Sequence, residues 1–319
     1  MDQFRDKVAI VTGGASGIGR ALCQELGQRG AVVIVADINA EGAQQVASAI
    51  ATTGGRARAA YLDVSQAEDV QRLVDETASE HGRLDYMFNN AGIAMAGEVR
   101  DTSLLQWRRL VDVNLWGVIY GTTAAYSLMV RQGFGHIVNT ASLAGLVSFP
   151  TLTPYAATKH AIVGLSTSLR AEAAELGVKV SVICPGHVRT GIYDVATVLK
   201  ASREDAWALI PFNAMDATRA ARVMLRGVAR NRAIIIFPFH TRLPWWLHRL
   251  HPSLSAIWGR RVVRMFRALR RDPKGFQNLR VWLILESNSV QLHNCCPSRN
   301  PLQSLLSRVM RAIMRVWAE

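Results

Sequence analysis

Cysteine is scarce in this chain. The four among 319 residues are Cys23, Cys184, Cys295 and Cys296. They show neither the spacing of a metal site nor a disulfide framework, so no metal is expected and a reducing cytoplasm is. Long apolar runs are also missing. Half of the residues are hydrophobic, enough for a sizeable core, yet no stretch reaches the roughly 20 uncharged apolar residues of a spanning helix. The start, Met1 to Asp6, leads straight into an apolar strand and lacks the pattern of a signal peptide. No internal repeat is visible. Acidic residues run short in one place only: residues 1–238 carry 23 Lys and Arg against 21 Asp and Glu, whereas residues 239–319 carry 14 against 3. The excess charge therefore belongs to a tail, and the body is near neutral.

What is present is a regular alternation of strand and helix patterns. Lys7 to Thr12 reads as a buried strand. It runs into Gly13-Gly14-Ala15-Ser16-Gly17-Ile18-Gly19 and then into an apolar-periodic helix from Arg20 to Arg29. Strand, glycine turn and helix start together make a phosphate-binding device: glycines let the backbone approach a pyrophosphate, and N–H groups at the helix start attract its charge. A second strand, Ala31 to Ala36, ends at Asp37. A carboxylate there suits the ribose hydroxyls of a dinucleotide and repels a 2′-phosphate, and Ala15, Ser16, Ile38 and Asn39 offer no cation for such a phosphate. NAD is expected over NADP. A cap for the helix at 40–53 is the plainer reading of Asp37.

A third strand, Ala57 to Leu62, enters Asp63-Val64. Asp63 has two readings, a partner for the adenine amino group with Val64 packing the ring, or a helix cap. After a helix at 66–81, the strand Leu84 to Phe88 opens into Asn89-Asn90-Ala91-Gly92, small and polar residues along which a cofactor can pass. Helices are expected near 102–112 and 113–131, with Asn114 at their junction as either a satisfied core amide or the holder of a water. The strand His136 to Thr140 ends just before Ser142. The strand Lys179 to Cys184 is stopped by Pro185-Gly186 and followed by His187 to Thr190. Residues 191–215 read as an irregular apolar loop of the kind that forms lids. A helix at 217–230 and a strand at 233–237 complete the pattern. The fold class is α/β: a doubly wound parallel sheet with helices on both faces.

Tyr155 and Lys159 are four apart, so on a helix they project from one face. A free tyrosine, with a pKa of about 10, is a poor base at neutral pH. An ammonium one turn away favours the phenolate, and a drop of roughly three units corresponds to about 4 kcal/mol. Tyr155 then serves as acid and base toward an alcohol or ketone. Ser142, 13 residues earlier at a strand's carboxyl end, can donate to the same oxygen.

The set Thr12 to Gly19, Asp63-Val64, Asn89 to Gly92, Asn114, Ser142, Tyr155-Ala156-Ala157-Thr158-Lys159 and Pro185-Gly186 resembles the short-chain dehydrogenase/reductase family over residues 5–238, in the family's order and spacing. The resemblance implies a Rossmann fold of about seven parallel strands and a catalytic tetrad of Asn114, Ser142, Tyr155 and Lys159. It implies that Thr190 and the backbone near Val188 hold the nicotinamide carboxamide, and that the chain forms a dimer or tetramer through the helices at 113–131 and 155–176. The expected cofactor-binding set is Gly13, Ser16, Gly17, Ile18, Gly19, Asp37, Asp63, Val64, Asn90, Ala91, Gly92, Tyr155, Lys159, Pro185, Gly186, Val188 and Thr190. The expected reaction is reversible transfer between nicotinamide and a secondary alcohol or ketone, on a bulky hydrophobic substrate such as a steroid-like or long-chain compound.

The chain thus divides into a catalytic domain, 1–238, and a basic, partly helical extension, 239–319. Segments 254–271 and 303–317 have amphipathic patterns rich in arginine, which suit an anionic membrane surface or packing on the body. No nucleic-acid module surrounds the charge. A non-catalytic NAD(H)-sensing protein and a membrane-peripheral interaction protein are the readings from other classes.

Overall fold

The computed structural model describes residues 2–208 and 214–270, apart from the side chains at 252, 254 and 255. Seven parallel strands form one sheet: β1 (Val8–Thr12), β2 (Val32–Asp37), β3 (Arg56–Tyr61), β4 (Tyr86–Asn89), β5 (Gly135–Thr140), β6 (Val178–Pro185) and β7 (Ile234–Phe237), in the order β3-β2-β1-β4-β5-β6-β7. The order reverses between β1 and β4, which leaves a crevice at the carboxyl ends of those strands.

The central strands β1 and β2 are almost wholly apolar because both faces are covered. Side-chain alternation along β1 divides the core: Ala9 and Val11 face the layer that contains α1 (Gly17–Gln28), α2 (Ala40–Thr52) and α7 (Ala217–Ala229), while Val8 and Ile10 face that of α3 (Ala67–His81) and α5 (Gly117–Gln132). Edge strand β3 is the exception. Its Arg56 and Arg58 pair with Asp6 and Glu80 at 2.5 and 3.0 Å, charges that guard an open edge.

Beneath the crevice lies a buried polar chain that the sequence reading did not find. Asn89 Nδ2 donates to Asn139 Oδ1 at 2.8 Å, and Asn139 Nδ2 donates to Ser166 Oγ at 3.0 Å. It ties β4 and β5 to α6 (Thr153–Ala173). Asn89 Oδ1 itself has no hydrogen-bond partner, but the bonds that are made favour one arrangement of the elements they join.

Three local expectations change. α4 (Leu104–Val111) and α5 are not separate at their junction: one π-helical turn, Asp112–Trp116, joins them and carries Asn114 into the interior. The loop at 191–215 is ordered in part, with helical turns Ile192–Val195 and Arg203–Ala208 and a short parallel ladder between Met95–Ala96 and Thr197–Val198. The basic segment begins with α8 (Arg242–Leu250), which was not expected, followed by α9 (Pro252–Ala268). Residues 2–269 belong to one compact unit, and the helix expected at 303–317 lies outside the described residues. No helix among the described residues is long and apolar enough to cross a membrane.

α9 is held by burial. Phe266 is 1 % exposed, and Trp258 meets Phe149 edge to face at a centroid distance of 6.3 Å. Arg267 donates to Glu98 Oε1 through Nε at 2.9 Å and Nη2 at 2.6 Å. Truncation of a buried phenylalanine typically costs about 3–5 kcal/mol. Phe266→Ala is expected to lower the unfolding free energy by about 3 kcal/mol in a urea titration; a loss under about 1 kcal/mol would mean that α9 is not part of the cooperative unit.

Candidate active site

The glycine turn is shaped by contacts that admit no side chain. Gly13 adopts φ +66°, and a Cβ there would stand 2.8 Å from Ala91 Cα. A Cβ at Gly19 would collide with the Gly13 carbonyl and approach Asn90 Nδ2. Gly17, φ +52°, lies against Thr190. Helix α1 starts at Gly17, earlier than its apolar period suggests, with Ser16 as N-cap making no side-chain capping bond. The first N–H groups of a helix have no intrahelical acceptor, so Gly17, Ile18 and Gly19 present donors at the mouth of the crevice. A cradle that a Cβ would fill, at a helix start, fits the pyrophosphate of a dinucleotide.

Thr12 organises this turn and was missed as a site residue. Its Oγ1 accepts from Asn90 N and Ala91 N, both at 3.0 Å, and Asn90 Nδ2 returns a bond to Thr12 O at 3.0 Å. A hydroxyl ahead of a glycine turn was the available signal. Asp37 lies at the tip of β2, where its Oδ2 accepts from Ala15 N and its Oδ1 from Asn39 N, each at 2.9 Å. It does not cap α2; Asn39 does, accepting from Gly42 N at 3.0 Å. Asp63 closes a turn on Ser65, with Oδ1 accepting from its N at 2.9 Å and Oγ at 2.8 Å. Val64 is buried against Gly117. Val188 is buried too and pairs with Met215, which orders the chain that leads to Thr190.

On the other side of the crevice, α6 starts with Pro154 in its first turn, where a missing N–H costs nothing. The helix packs closely on the turn Leu143–Gly145 because Gly145 leaves room for the Lys159 carbonyl. Lys159 is 3 % exposed, and its Nζ donates to Thr140 O at 3.0 Å and lies 5.6 Å from the Tyr155 ring centroid. Asn114 is fully buried. Its amide is locked to Ile93, with Oδ1 accepting from Ile93 N at 2.8 Å and Nδ2 donating to Ile93 O at 2.9 Å. Gly92 separates Asn114 from Lys159: a Cβ there would lie 3.1 Å from Asn114 Oδ1 and 3.5 Å from Lys159 Nζ. Ser142 accepts from Ala144 N at 3.1 Å and is the neighbour that favours the Tyr155 phenolate.

Tyr155 and Ser142 face a cavity of about 90 Å³. Its other walls are Ala94, Leu143, Ala144, Phe149, Leu152, Pro185, Gly186, His187, Ile192, Tyr193 and Trp207. The lid side is aromatic: Tyr193 packs on His187 and Trp207 at 5.0 Å each, and Trp207 Nε1 donates to Tyr193 O at 3.1 Å. Phe149 belongs to the same wall, so the Trp258 contact of α9 reaches the back of the cavity.

The electrostatics differ from the expectation drawn from the Tyr155–Lys159 spacing. Tyr155 lies at the cavity wall, partly exposed, yet desolvation by the surrounding protein pushes its phenol up, and only the neighbouring Ser142 hydroxyl works the other way. Burial also pushes the Lys159 ammonium down, to about 8 from an ordinary 10.5. Desolvation opposes charge on both partners, so the pair alone does not make a phenolate.

The chain belongs to the short-chain dehydrogenase family. The family model described as short chain dehydrogenase matches residues 7–197. Over 192 residues the chain is 40 % identical to the cyclohexanol dehydrogenase of Acinetobacter sp. (strain SE19), covering 59 % of this chain and 76 % of that protein. It is 34 % identical over 242 residues to the putative oxidoreductase SadH of Mycobacterium tuberculosis (strain ATCC 25618 / H37Rv), covering 74 % and 87 %. It is 42 % identical over 192 residues to the 2,5-dichloro-2,5-cyclohexadiene-1,4-diol dehydrogenase of Sphingobium indicum (strain DSM 16412 / CCM 7286 / MTCC 6364 / B90A), covering 60 % and 76 %. The crystal structure of the apo form of LigD from Sphingobium sp. strain SYK-6 superposes with a TM-score of 0.68 at 28 % identity, over 79 % of this chain and 98 % of that one. The chain is thus an oxidoreductase of a family that uses nicotinamide cofactors, with relatives named as dehydrogenases of ring alcohols.

Burial of Lys159 has a pH signature. Its folded pKa lies below its unfolded value, so between about 8 and 10.5 the unfolded chain binds more protons and this group adds stability as pH rises. Cys184, pushed up to about 12, and Cys23, also raised by burial, act oppositely above their ordinary 9.0, so the lysine is read as a difference between proteins. Relative to Lys159→Met, wild type is expected to gain on the order of 3 kcal/mol between pH 7.5 and 10.5 in denaturant titrations without cofactor. Parallel curves would show that Lys159 titrates as it does in water.

Proposed function

We propose that this chain is an NAD-dependent dehydrogenase of an apolar secondary alcohol, working reversibly on the matching ketone. The observation that carries the reading is the convergence of Ser142 and Tyr155 on an apolar cavity with Lys159 buried one helical turn behind.

The glycine turn and the start of α1 hold the pyrophosphate, and Asp37 takes the adenosine ribose. Asn90, Ala91 and Gly92 line the path between them and Lys159. Pro185, Gly186 and Thr190 flank the nicotinamide end. When bound, the nicotinamide supplies the two-electron chemistry of the reaction. Ser142 orients the substrate oxygen. Tyr155 takes the hydroxyl proton on oxidation and returns it on reduction. Lys159, together with the positive charge that an oxidised nicotinamide would bring, would offset the desolvation that raises the Tyr155 phenol. Lys159 binds the nicotinamide ribose hydroxyls. Asn114 fixes the backbone at Ile93 and positions a water through which the proton reaches solvent.

The cavity volume favours an alicyclic ring over a fused steroid, and two of the relatives are named for such rings. A panel of alicyclic secondary alcohols, steroids and long-chain hydroxy compounds, followed by NADH absorbance, tests this. Turnover is expected first on the single-ring members. Tyr155→Phe is expected to retain NADH binding and to lose about a hundred- to ten-thousand-fold in kcat; near wild-type turnover in that variant would remove Tyr155 from the mechanism.

Cofactor choice is a separate prediction. Asp37→Ala is expected to narrow the ratio of kcat/KM for NAD over NADP by about tenfold or more, since about 1.4 kcal/mol of repulsion amounts to one factor of ten. An unchanged ratio would restrict Asp37 to its bonds with Ala15 and Asn39.

A further inference from the structure

Helix α8 exposes an apolar stripe that neither the sheet nor the catalytic cavity uses. Leu243, Trp246 and Leu250 follow one another at spacings of three and four, so they share one face of α8, and Phe239 stands in the tight turn Phe239–Thr241 just before it; the four are 39, 54, 75 and 79 % exposed. The opposite side anchors the helix: Thr241 is fully buried and Trp245 packs against the core below. Arg242 Cζ stands 5.2 Å from the Phe239 ring centroid at the stripe, and the exposed Arg249 reaches over the anchoring Trp245, its Cζ 5.4 Å from that ring centroid. Residues 239–270 hold seven arginines and no aspartate or glutamate. Beside the stripe, a groove of about 650 Å³ between α9 and the 148–150 loop is lined by Arg260, Arg264 and His248, with Arg267 held at its wall by Glu98.

We propose that α8 and the basic groove form a docking surface for an anionic lipid bilayer, with the stripe entering the headgroup region and the arginines meeting lipid phosphates. Aromatic and leucine side chains beside arginines, on a helix too polar to span, are the composition of an interfacial element. Long arginine stems lie along apolar surface while the guanidinium reaches phosphate. A second copy of the chain is a poor occupant: a two-fold axis through this face would oppose arginine to arginine, with no carboxylate in the segment to relieve them.

The test is co-flotation of the full chain with vesicles of phosphatidylcholine alone or mixed with phosphatidylglycerol. Wild type is expected to float with the anionic vesicles, not with neutral ones, and to be released by high salt. The double variant Trp246→Asp, Leu250→Asp alters only exposed positions and is expected to lose at least about tenfold in anionic-vesicle binding, with its thermal melt and NADH binding unchanged. Arg242→Gln with Arg249→Gln is a second variant, expected to weaken binding without introducing acid. The proposal is overturned if wild type does not float, if both double variants float as wild type does, or if the stripe instead drives a concentration-dependent dimer that the aspartates abolish. None of these readouts depends on turnover.

Discussion

One hydroxyl holds the crevice in shape. Parallel sheets reverse their order where β1 and β4 meet, and nothing in the strand ladder closes the chain ends at that point. Thr12 Oγ1 does so by accepting two consecutive N–H groups, those of Asn90 and Ala91. That pair of bonds draws the β4 exit against the glycine turn until Gly13 and Ala91 touch. The result is a groove walled by backbone, in which donors at the start of α1 face the path that leads to Gly92 and Lys159. A larger residue at Gly13 or Gly19 would push the two strand exits apart, so the glycines and Thr12 act as one unit.

Burial governs the chemistry as strongly as charge does. A spacing of four from Tyr155 to Lys159 says that the groups share a helix face; it does not say how dry that face is. In the folded chain Lys159 is enclosed by α6, the turn at Leu143–Gly145 and the end of β5 while Tyr155 stands at the cavity wall, and each is pushed toward its neutral form. A site poised this way responds to an added positive charge, because one cation in a low-dielectric setting has large leverage on a phenol. The resting chain therefore keeps its proton on Tyr155, and on the proposed mechanism an oxidised cofactor would supply the charge that loosens it.

Local patterns were readable in the residues and distant partnerships were not. The strand–helix alternation, the glycine spacing and the Tyr155–Lys159 pair all fall within one or two turns of chain, where periodicity and sterics suffice. Thr12 bonds across 78 residues to Asn90, and Asn139 reaches Asn89 and Ser166 across 50 and 27. No pattern announces such meetings. The π-helical turn at Asp112–Trp116 is an insertion of register that composition does not mark. Helix α8 was hidden by Pro244, which reads as punctuation; in the structure it occupies the first turn of Arg242–Leu250, where proline is tolerated.

The start of the basic segment joins two tasks. Through Trp258 on Phe149 and Arg267 on Glu98, α9 supports one wall of the catalytic cavity and the arm that follows Met95–Ala96. That arm pairs with Thr197–Val198, beside the chain that supplies Tyr193 and Trp207 to the cavity. α9 is therefore linked to the cavity walls through a short series of packed contacts. An apolar substrate partitions into a bilayer, and a helix layer seated on that bilayer while bracing the cavity would bring the cavity to where such a substrate is concentrated.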